Sequence, residues 1–422
     1  MTAGMIEVRR LRRGMLGAVA VTAVLASGLT AAAPAAAADI QSKQWYLDAM
    51  HAEEIWKTST GKGMTVAVID TGVNPATPSL KGQVLKGMDV SEAEGDETDD
   101  YTGHGTTMAE LIAGTGKGGG LKGLAPGAKI IPYRVSDTEF QNKNKVNAFD
   151  MEEAIKAAAD SEAQIISISF GNEFYSSSVR QAVKHAQAKG KLLFASAGND
   201  AKKGNKENYP AAYPEAIAVA ATTGDGEVAE YSQHGDFVDL AAPGSEIPGW
   251  CDENFTRYCD GDGTSNAAAI ASASAALIWS AHPDWTGNQV LRVMLESAGK
   301  GDDWEPGTLS RYAGHGVIRP NAHLTRGIGK PGDPDINPLT NQRVGGDAGS
   351  SGSSPSAAPS ASMSASGSPQ APESKPSSDA VVAGSSESTD DGSPLGLIIG
   401  GAAAAIVVAG VAYVIVRRRR TA

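Results

Sequence analysis

The sequence predicts an α/β fold, doubly wound, with a mostly parallel sheet and helices on both faces. Six short runs between residues 65 and 242 are almost continuously apolar, as expected of strands that are covered on both faces. Segments of helical periodicity separate several of these runs, and such alternation is typical of βαβ units. The folded part, residues 39–328, is long enough for one sizeable core.

The individual elements follow from these patterns in chain order. Strands are predicted at residues 65–70, 129–135, 164–170, 191–198, 216–221 and 237–242. Helices are predicted at residues 105–114, 151–160 and 178–190, and a buried helix follows the stretch GDGTSNAAA at 261–269. The carboxyl ends of parallel strands meet at one edge of the sheet, where functional groups gather. Polar residues that end a strand or open a helix are therefore the candidates for chemistry.

Residues 1–38 have the three-part pattern of a secretory signal peptide. Four arginines stand within residues 9–13, an apolar run extends from Met15 to Leu29, and small residues lead to Ala38. We expect cleavage after Ala38 and therefore an exported chain. A twin-arginine route stays open, although the residues that usually flank the arginine pair are absent.

The C-terminal part predicts a tether and one membrane span. Residues 329–394 are rich in Gly, Ser and Pro and poor in large apolar residues, so we expect a disordered linker. Residues 395–416 are uncharged and largely apolar, and as a helix they would span roughly 33 Å, enough for a transmembrane helix. Four arginines follow directly, which predicts a cytoplasmic tail at 417–422 and an extracytoplasmic folded domain at the cell membrane.

The cysteines and the net charge narrow the classes of protein further. Cys251 and Cys259 are the two cysteines of the sequence. In an exported chain a disulfide between them is favoured over free thiols, and a zinc site is disfavoured because no histidine is close in sequence. The net charge of −12 and the lack of a basic patch in the folded part argue against a nucleic-acid partner.

Three polar residues lie where the predicted sheet would gather them. Asp70 ends the first strand, His104 opens a helix in GHGTTMA, and Ser265 starts the buried helix. These residue types suit nucleophilic acyl transfer, because the histidine can take the serine proton while the carboxylate fixes the histidine tautomer. Taken singly, each has a structural explanation as a turn acceptor, a helix-start residue or an N-cap. Their combination favours the chemical interpretation.

Asn199 adds a fourth element to this interpretation. It follows a predicted strand in the stretch FASAGND. A side-chain amide there can share an oxyanion with the backbone N–H of Ser265, and such a donor contributes about 10²–10³ in rate. An isolated Asn-Asp pair is otherwise a common turn former.

Several blocks in a fixed order carry a resemblance to one family. VAVIDTGVN, GHGTTMAELIAG, SISFGN, ASAGND, AAPG and GTSNAAA resemble the signature blocks of subtilisin-like serine proteases, and the similarity runs from about Trp45 to about Thr325. The opening segment, the two-cysteine loop and the C-terminal anchor further resemble mycosins, the actinobacterial subtilases associated with type VII secretion.

The resemblance implies a role for each candidate residue. Asp70 would orient the histidine, His104 would act as general base and acid, Ser265 as nucleophile and Asn199 as oxyanion donor. Ser169, Phe170 and Gly171 resemble the segment that pairs with an extended substrate backbone. Asn266 departs from the family pattern, which usually has a large residue after the nucleophile, so the substrate pocket or the orientation of Ser265 is expected to differ.

The function implied is that of a membrane-anchored extracytoplasmic serine endopeptidase, which cuts protein or peptide substrates through an acyl-enzyme and is linked to type VII secretion. One alternative is a structural component that stabilises a secretion complex, and a less favoured one is a degenerate peptide-binding relative. We expect no cofactor, although a structural calcium ion stays open. The acidic stretch SEAEGDETDD at 91–100 is interpreted as a solvated loop rather than as a calcium site.

The segment ahead of the first strand predicts how the enzyme becomes active. About 30 residues separate Ala38 from Asp70, too few for an independently folded pro-domain. The segment is nevertheless apolar, and we expect it to pack on the domain as a permanent part of it. The apolar residues are Trp45, Tyr46, Leu47, Met50, Ile55 and Trp56.

Overall fold

The structure is a computed structural model, and it describes residues 40–91, 93–135, 148–301, 304–305 and 307–344. The predicted signal peptide, most of the predicted linker, the predicted membrane span and the predicted tail lie outside these residues. Within the described ranges, no helix is both long enough and apolar enough to cross a membrane.

In the part of the chain that the structure describes, seven parallel strands form the main sheet in the order β2-β3-β1-β4-β5-β6-β7. Strand β1 lies between β3 and β4, so the strand order reverses beside it, which is where open α/β sheets place their sites. The bounds are β1 Thr65–Asp70, β2 Met88–Asp89, β3 Lys129–Arg134, β4 Ile165–Ile168, β5 Leu192–Ser196, β6 Ile217–Thr222 and β7 Leu240–Pro243.

Helices cover both faces of this sheet, which confirms the predicted layering. Side chains alternate along β1: Val66 and Val68 join a core with the buried residues of α3, α6 and α7, whereas Ala67 and Ile69 join a core with those of α4 and α5. The bounds are α1 Trp45–Ala49, α2 Ala52–Ile55, α3 His104–Ala113, α4 Ala148–Asp160, α5 Ser177–Ala188, α6 Thr264–Ala281, α7 Gly287–Ser297 and α8 Pro320–Arg326.

Helix α6 is the central helix of the first core. Every residue from Thr264 to Trp279 is buried, because the helix packs on several strands of the sheet and also on α3, α7 and α8. A helix that is apolar on all sides belongs in such an interior. Its first turn therefore has a fixed position relative to β1 and α3.

An antiparallel hairpin precedes α6 and was not predicted. Its strands are β8 Ile247–Trp250 and β9 Tyr258–Gly261. Cys251 and Cys259 form a disulfide across its tip, with their Cα atoms 5.1 Å apart. The pairing is the one that the sequence favoured.

Candidate active site

The first pair of the site is formed by the end of β1 and the start of α3. Asp70 is fully buried, and His104 Nδ1 lies 2.7 Å from its Oδ1. Gly105 permits this approach, because a Cβ there would lie 2.2 Å from the carbonyl oxygen of Gly72 and 3.0 Å from Asp70 Cβ. A carboxylate accepts only, so Nδ1 carries the proton and Nε2 is the acceptor.

The surroundings of His104 raise the pKa of its imidazole above the ordinary value. Burial lowers this pKa, but the charge of Asp70 and its hydrogen bond raise it by more, with a smaller contribution from the charge of Asp100. The imidazolium form of this residue is thereby stabilised. The side chain is 37% exposed, so it can still reach a substrate.

Ser265 lies on the first turn of α6 and is 8% exposed. Its Oγ donates to the carbonyl oxygen of Ser169 at 3.2 Å. The neighbouring residue Phe170 lies beside His104, with ring centroids 6.1 Å apart. Ser265 and His104 therefore border the same segment, because Ser169 and Phe170 are consecutive residues. The hydroxyl points to Ser169 rather than to the imidazole in this structure.

Asn199 follows β5 and is oriented by the residue before the serine. The backbone N–H and the hydroxyl of Thr264 each donate to Asn199 Oδ1 at 2.9 Å. Its Nδ2 is therefore the end of the amide that remains to donate. A Cβ on Gly263 would lie 3.7 Å from both Asn199 Nδ2 and Ser265 N, so two donors flank one small space. Thr264 was not singled out from the sequence, where it appears only as one of the residues that start a helix.

The segment Ser169–Gly171 follows β4 and leaves the sheet beside Ser265. Ser169 is buried, whereas Gly171 is exposed. A Cβ at position 171 would lie 2.3 Å from Asn208 Nδ2, so a larger residue there would displace this amide. That amide also donates to the carbonyl oxygen of Ser196 at 3.2 Å. Asn208 thus links the ends of β4 and β5 and was not singled out in the sequence.

Asn266, the departure from the family pattern, hydrogen-bonds to the backbone of Gly244 and Gly261 rather than to Ser265 Oγ. Its Nδ2 donates to the carbonyl oxygens of Gly244 at 3.1 Å and Gly261 at 3.4 Å. The side chain therefore braces the first turn of α6 against the ends of β7 and β9. Its polar group is satisfied without any contact to Ser265 Oγ.

The disulfide hairpin packs against the start of α3. The backbone N–H of Trp250 donates to Thr107 Oγ1 at 2.9 Å, and a Cβ on Gly103 would lie 2.9 Å from Trp250 Cβ. The same hairpin leads through Gly261 into α6. It therefore borders the elements that carry both His104 and Ser265.

The interpretation of residues 91–100 as a solvated loop is wrong for Asp100, which is 4% exposed. The loop folds over the buried guanidinium of Arg134, which donates to Asp89 Oδ2 at 3.3 Å and to the carbonyl oxygen of Glu94 at 3.0 Å. Among the described residues, no group of three or more His, Cys, Asp or Glu side chains is placed to hold a metal ion. Asp100 was missed as a member of the site, although an aspartate just ahead of a helix is a common capping signal.

Comparison with known families gives a match over most of the described chain. The model of the subtilase family matches residues 61–316. Thermitase from Thermoactinomyces vulgaris is 34% identical over 279 residues, which cover 64% of this chain and 95% of thermitase. Subtilisin E from Bacillus subtilis (strain 168) is 34% identical over 244 residues, 56% of this chain and 61% of that protein.

Solved structures with a similar fold include several of MycP1. MycP1 from Mycobacterium smegmatis has a TM-score of 0.59 and 26% identity, over 70% of this chain and 88% of that one. A MycP1 described as a serine protease and an essential component of the type VII (ESX-1) secretion system has a TM-score of 0.57 and 30% identity, over 68% and 89%. A MycP1 with its N-terminal propeptide removed has a TM-score of 0.56 and 27% identity, over 67% and 96%.

Proposed function

The chain belongs to the subtilase family of serine endopeptidases, and from this premise we propose that Ser265, His104 and Asp70 are its catalytic triad. The observation that carries the proposal is the 2.7 Å contact between His104 Nδ1 and the buried Asp70. Ser265, on the first turn of α6, borders the same Ser169–Phe170 segment as His104. This arrangement suits a histidine that accepts a proton at Nε2.

In the proposed reaction, the Ser265 hydroxyl turns from Ser169 toward His104, and Oγ attacks the carbonyl carbon of the scissile peptide bond. His104 Nε2 takes the hydroxyl proton, and the electron pair of the carbonyl moves to its oxygen. The C–N bond then breaks, and the amine leaves with the proton from His104. Water, deprotonated by His104 in turn, releases the acid from the acyl-enzyme and restores the serine.

Asn199 is the proposed donor to the oxyanion of the tetrahedral intermediate. Its Nδ2 and the backbone N–H of Ser265 face the same space beside Gly263, and Thr264 holds the amide in this orientation. Donors that are fixed before the reaction stabilise developing charge without reorganisation. Ser169, Phe170 and Gly171 are proposed to pair with the substrate backbone next to this space.

The test is covalent labelling of the purified protein by a fluorophosphonate, with mapping of the modified residue. We expect labelling of Ser265 in the wild type and neither labelling nor peptide cleavage in Ser265→Ala. Ser274→Ala is the matched control, because Ser274 is a buried serine of the same helix whose Oγ donates to the carbonyl oxygen of Ile270. Cleavage that persists in Ser265→Ala would exclude Ser265 as the nucleophile.

We also propose that the enzyme acts outside the cytoplasm, held at the cell membrane by residues 395–416. The support is the apolar run with its four following arginines. Association with type VII secretion is supported by the similarity to MycP1. The alternative is a mainly structural role in a secretion complex. Secretion that needs the chain but proceeds normally with Ser265→Ala would favour that alternative.

A further inference from the structure

We propose that Asp100 is a positioning residue for the Asp70–His104 pair. Its buried carboxylate holds both the start of α3 and the residue next to Asp70. Asp100 lies four residues ahead of His104 and is 4% exposed. The inference rests on the proposed function, because it concerns the geometry of the proposed general base.

The start of α3 depends on Asp100 for its backbone hydrogen bonds. The first N–H groups of a helix have no partner within the helix, and here each finds an oxygen of Asp100 or of a threonine that touches Asp100. Asp100 therefore sets the position of the turn that bears His104. The bonds are Gly103 N to Asp100 Oδ1 at 2.9 Å, His104 N to Thr102 Oγ1 at 3.1 Å, Gly105 N to Thr71 Oγ1 at 3.0 Å and Thr106 N to Asp100 Oδ2 at 2.8 Å.

Asp100 reaches the other member of the pair through Thr71. The Thr71 hydroxyl lies 2.8 Å from Asp100 Oδ1 and 3.3 Å from Asp70 Oδ1. It has one proton to donate, and the shorter contact assigns that proton to Asp100. The backbone N–H of Thr71 donates to Asp70 Oδ1 at 2.8 Å. By fixing Thr71, Asp100 fixes a donor to the same oxygen that contacts His104.

The charge of Asp100 also acts on the imidazole. Among the described residues, its donors are backbone N–H groups and hydroxyls rather than cations. Neutral donors stabilise the carboxylate but leave its negative charge in place, in a buried setting where screening is weak. The charge therefore favours the imidazolium form of His104, in the same direction as Asp70.

The test compares Asp100→Asn with Asp96→Asn. The amide keeps the shape of the carboxylate, but it removes the charge and turns an NH₂ toward one set of donors. We expect kcat to fall roughly 10- to 100-fold with KM within about twofold. The apparent pKa of the acidic limb of kcat/KM should also fall. Asp96 is an exposed carboxylate of the same loop, so its variant removes one charge and should leave both quantities unchanged.

A merely structural cap would lower the thermal midpoint without moving the acidic limb, and that result overturns the proposal. NMR titration of the His104 ring in the wild type and in Asp100→Asn measures the effect of Asp100 on the pKa of the imidazole without an activity assay. Should Asp100→Asn fail to fold, Thr71→Val tests the hydroxyl bridge: kcat should fall, and Thr71→Ser should restore it. A wild type that fluorophosphonate does not label contradicts the proposed function instead.

Discussion

Asn199 illustrates at the scale of one residue how the site is prepared before a substrate binds. Its amide is held by two bonds from Thr264, so Nδ2 remains to donate to the proposed oxyanion beside Gly263 and the N–H of Ser265. Asn199→Leu should lower kcat by roughly 10²–10³ with little change in KM, because the donor acts mainly in the transition state. Steady-state kinetics on a peptide substrate provide the measurement.

The control for this variant is Asn288→Leu, which alters an amide on α7 that donates to the carbonyl oxygen of Pro334. Its kinetics should match the wild type. A value of kcat that is unchanged in Asn199→Leu would exclude Asn199 as the oxyanion donor.

Glu110 is a buried acid on α3 that the proposed reaction does not use. Burial raises its pKa to about 7, despite hydrogen bonds from Thr77 and Tyr258. The folded state therefore holds a proton that the unfolded chain releases near pH 4.5. Its contribution to the free energy of unfolding is complete below pH 4.5 and is lost as the pH rises through 7, a change of about 3 kcal/mol.

Glu110→Gln should abolish this dependence, because an amide does not titrate. The Tyr258 hydroxyl can accept from the amide instead of donating, so the buried group keeps a hydrogen-bond partner. Relative to the variant, the wild type should lose stability between pH 4.5 and pH 7 and then level off, as measured by denaturant unfolding at several pH values. The comparison with the variant separates Glu110 from Asp239, whose pKa burial also raises to about 7. Glu227→Gln, at an exposed position, is the control, and a variant that keeps the full pH dependence would contradict the assignment.

Sequence patterns identified the candidate catalytic residues better than the residues that position them. Asp70 and His104 could be singled out because strand ends and helix starts are visible in a sequence, and the structure brings them within 2.7 Å. Thr71 and Asp100 could not be linked in this way, because Asp100 is one of several acidic residues in a single loop and no sequence pattern shows that it contacts Thr71. Only the fold shows which of several aspartates turns inward.

At the scale of elements, the disulfide hairpin connects two parts of the site. It packs on the start of α3 through Trp250 and leads directly into α6. Replacing both cysteines by serine should lower the free energy of unfolding by about 2–3 kcal/mol in the chain-entropy model. It should also lower kcat, because the first turns of α3 and α6 lose a shared support.

Denaturant unfolding and steady-state kinetics of the double serine variant test this prediction. Reduced wild-type protein, which also lacks the disulfide, should behave in the same way. Mass spectrometry of a non-reduced digest must first find the bridged peptide. Two free thiols in the purified protein would contradict the disulfide, and an unchanged kcat would contradict its effect on the site.

The regular elements were predictable to the degree that their patterns are local. Strands β1 and β3 to β7 lie within or near the predicted runs, because buried parallel strands are continuously apolar. Strand β2 has two residues, too few for any periodicity. Helix α7 was overlooked, although Thr286 and Gln289 form a capping box that is visible in the sequence.

At the scale of the whole molecule, residues 40–56 are part of the folded domain, as the apolar composition of this segment predicted. Tyr46 and Ile55 are fully buried. The indole N–H of Trp45 donates to the carbonyl oxygen of Ser245 at 3.1 Å, and that of Trp56 to Leu124 at 2.8 Å. These contacts tie the segment to the loop after β7 and to the loop between α3 and β3.

A chain that begins at Lys57 should therefore unfold at a markedly lower temperature than one that begins at Asp39, because removal of residues 40–56 exposes apolar surface of the main core. Thermal unfolding measures this difference.

N-terminal sequencing with an activity assay on the same sample tests whether activation requires removal of residues 40–56. We expect the active form to retain Trp45 and Trp56. MycP1 has been solved with its N-terminal propeptide removed, so the contrary outcome is well defined: an active form that begins beyond Trp56, with the longer form inert, would identify residues 40–56 as a propeptide. If the active form retains residues 40–56, the activity of the enzyme would be controlled by access of the substrate rather than by removal of this segment.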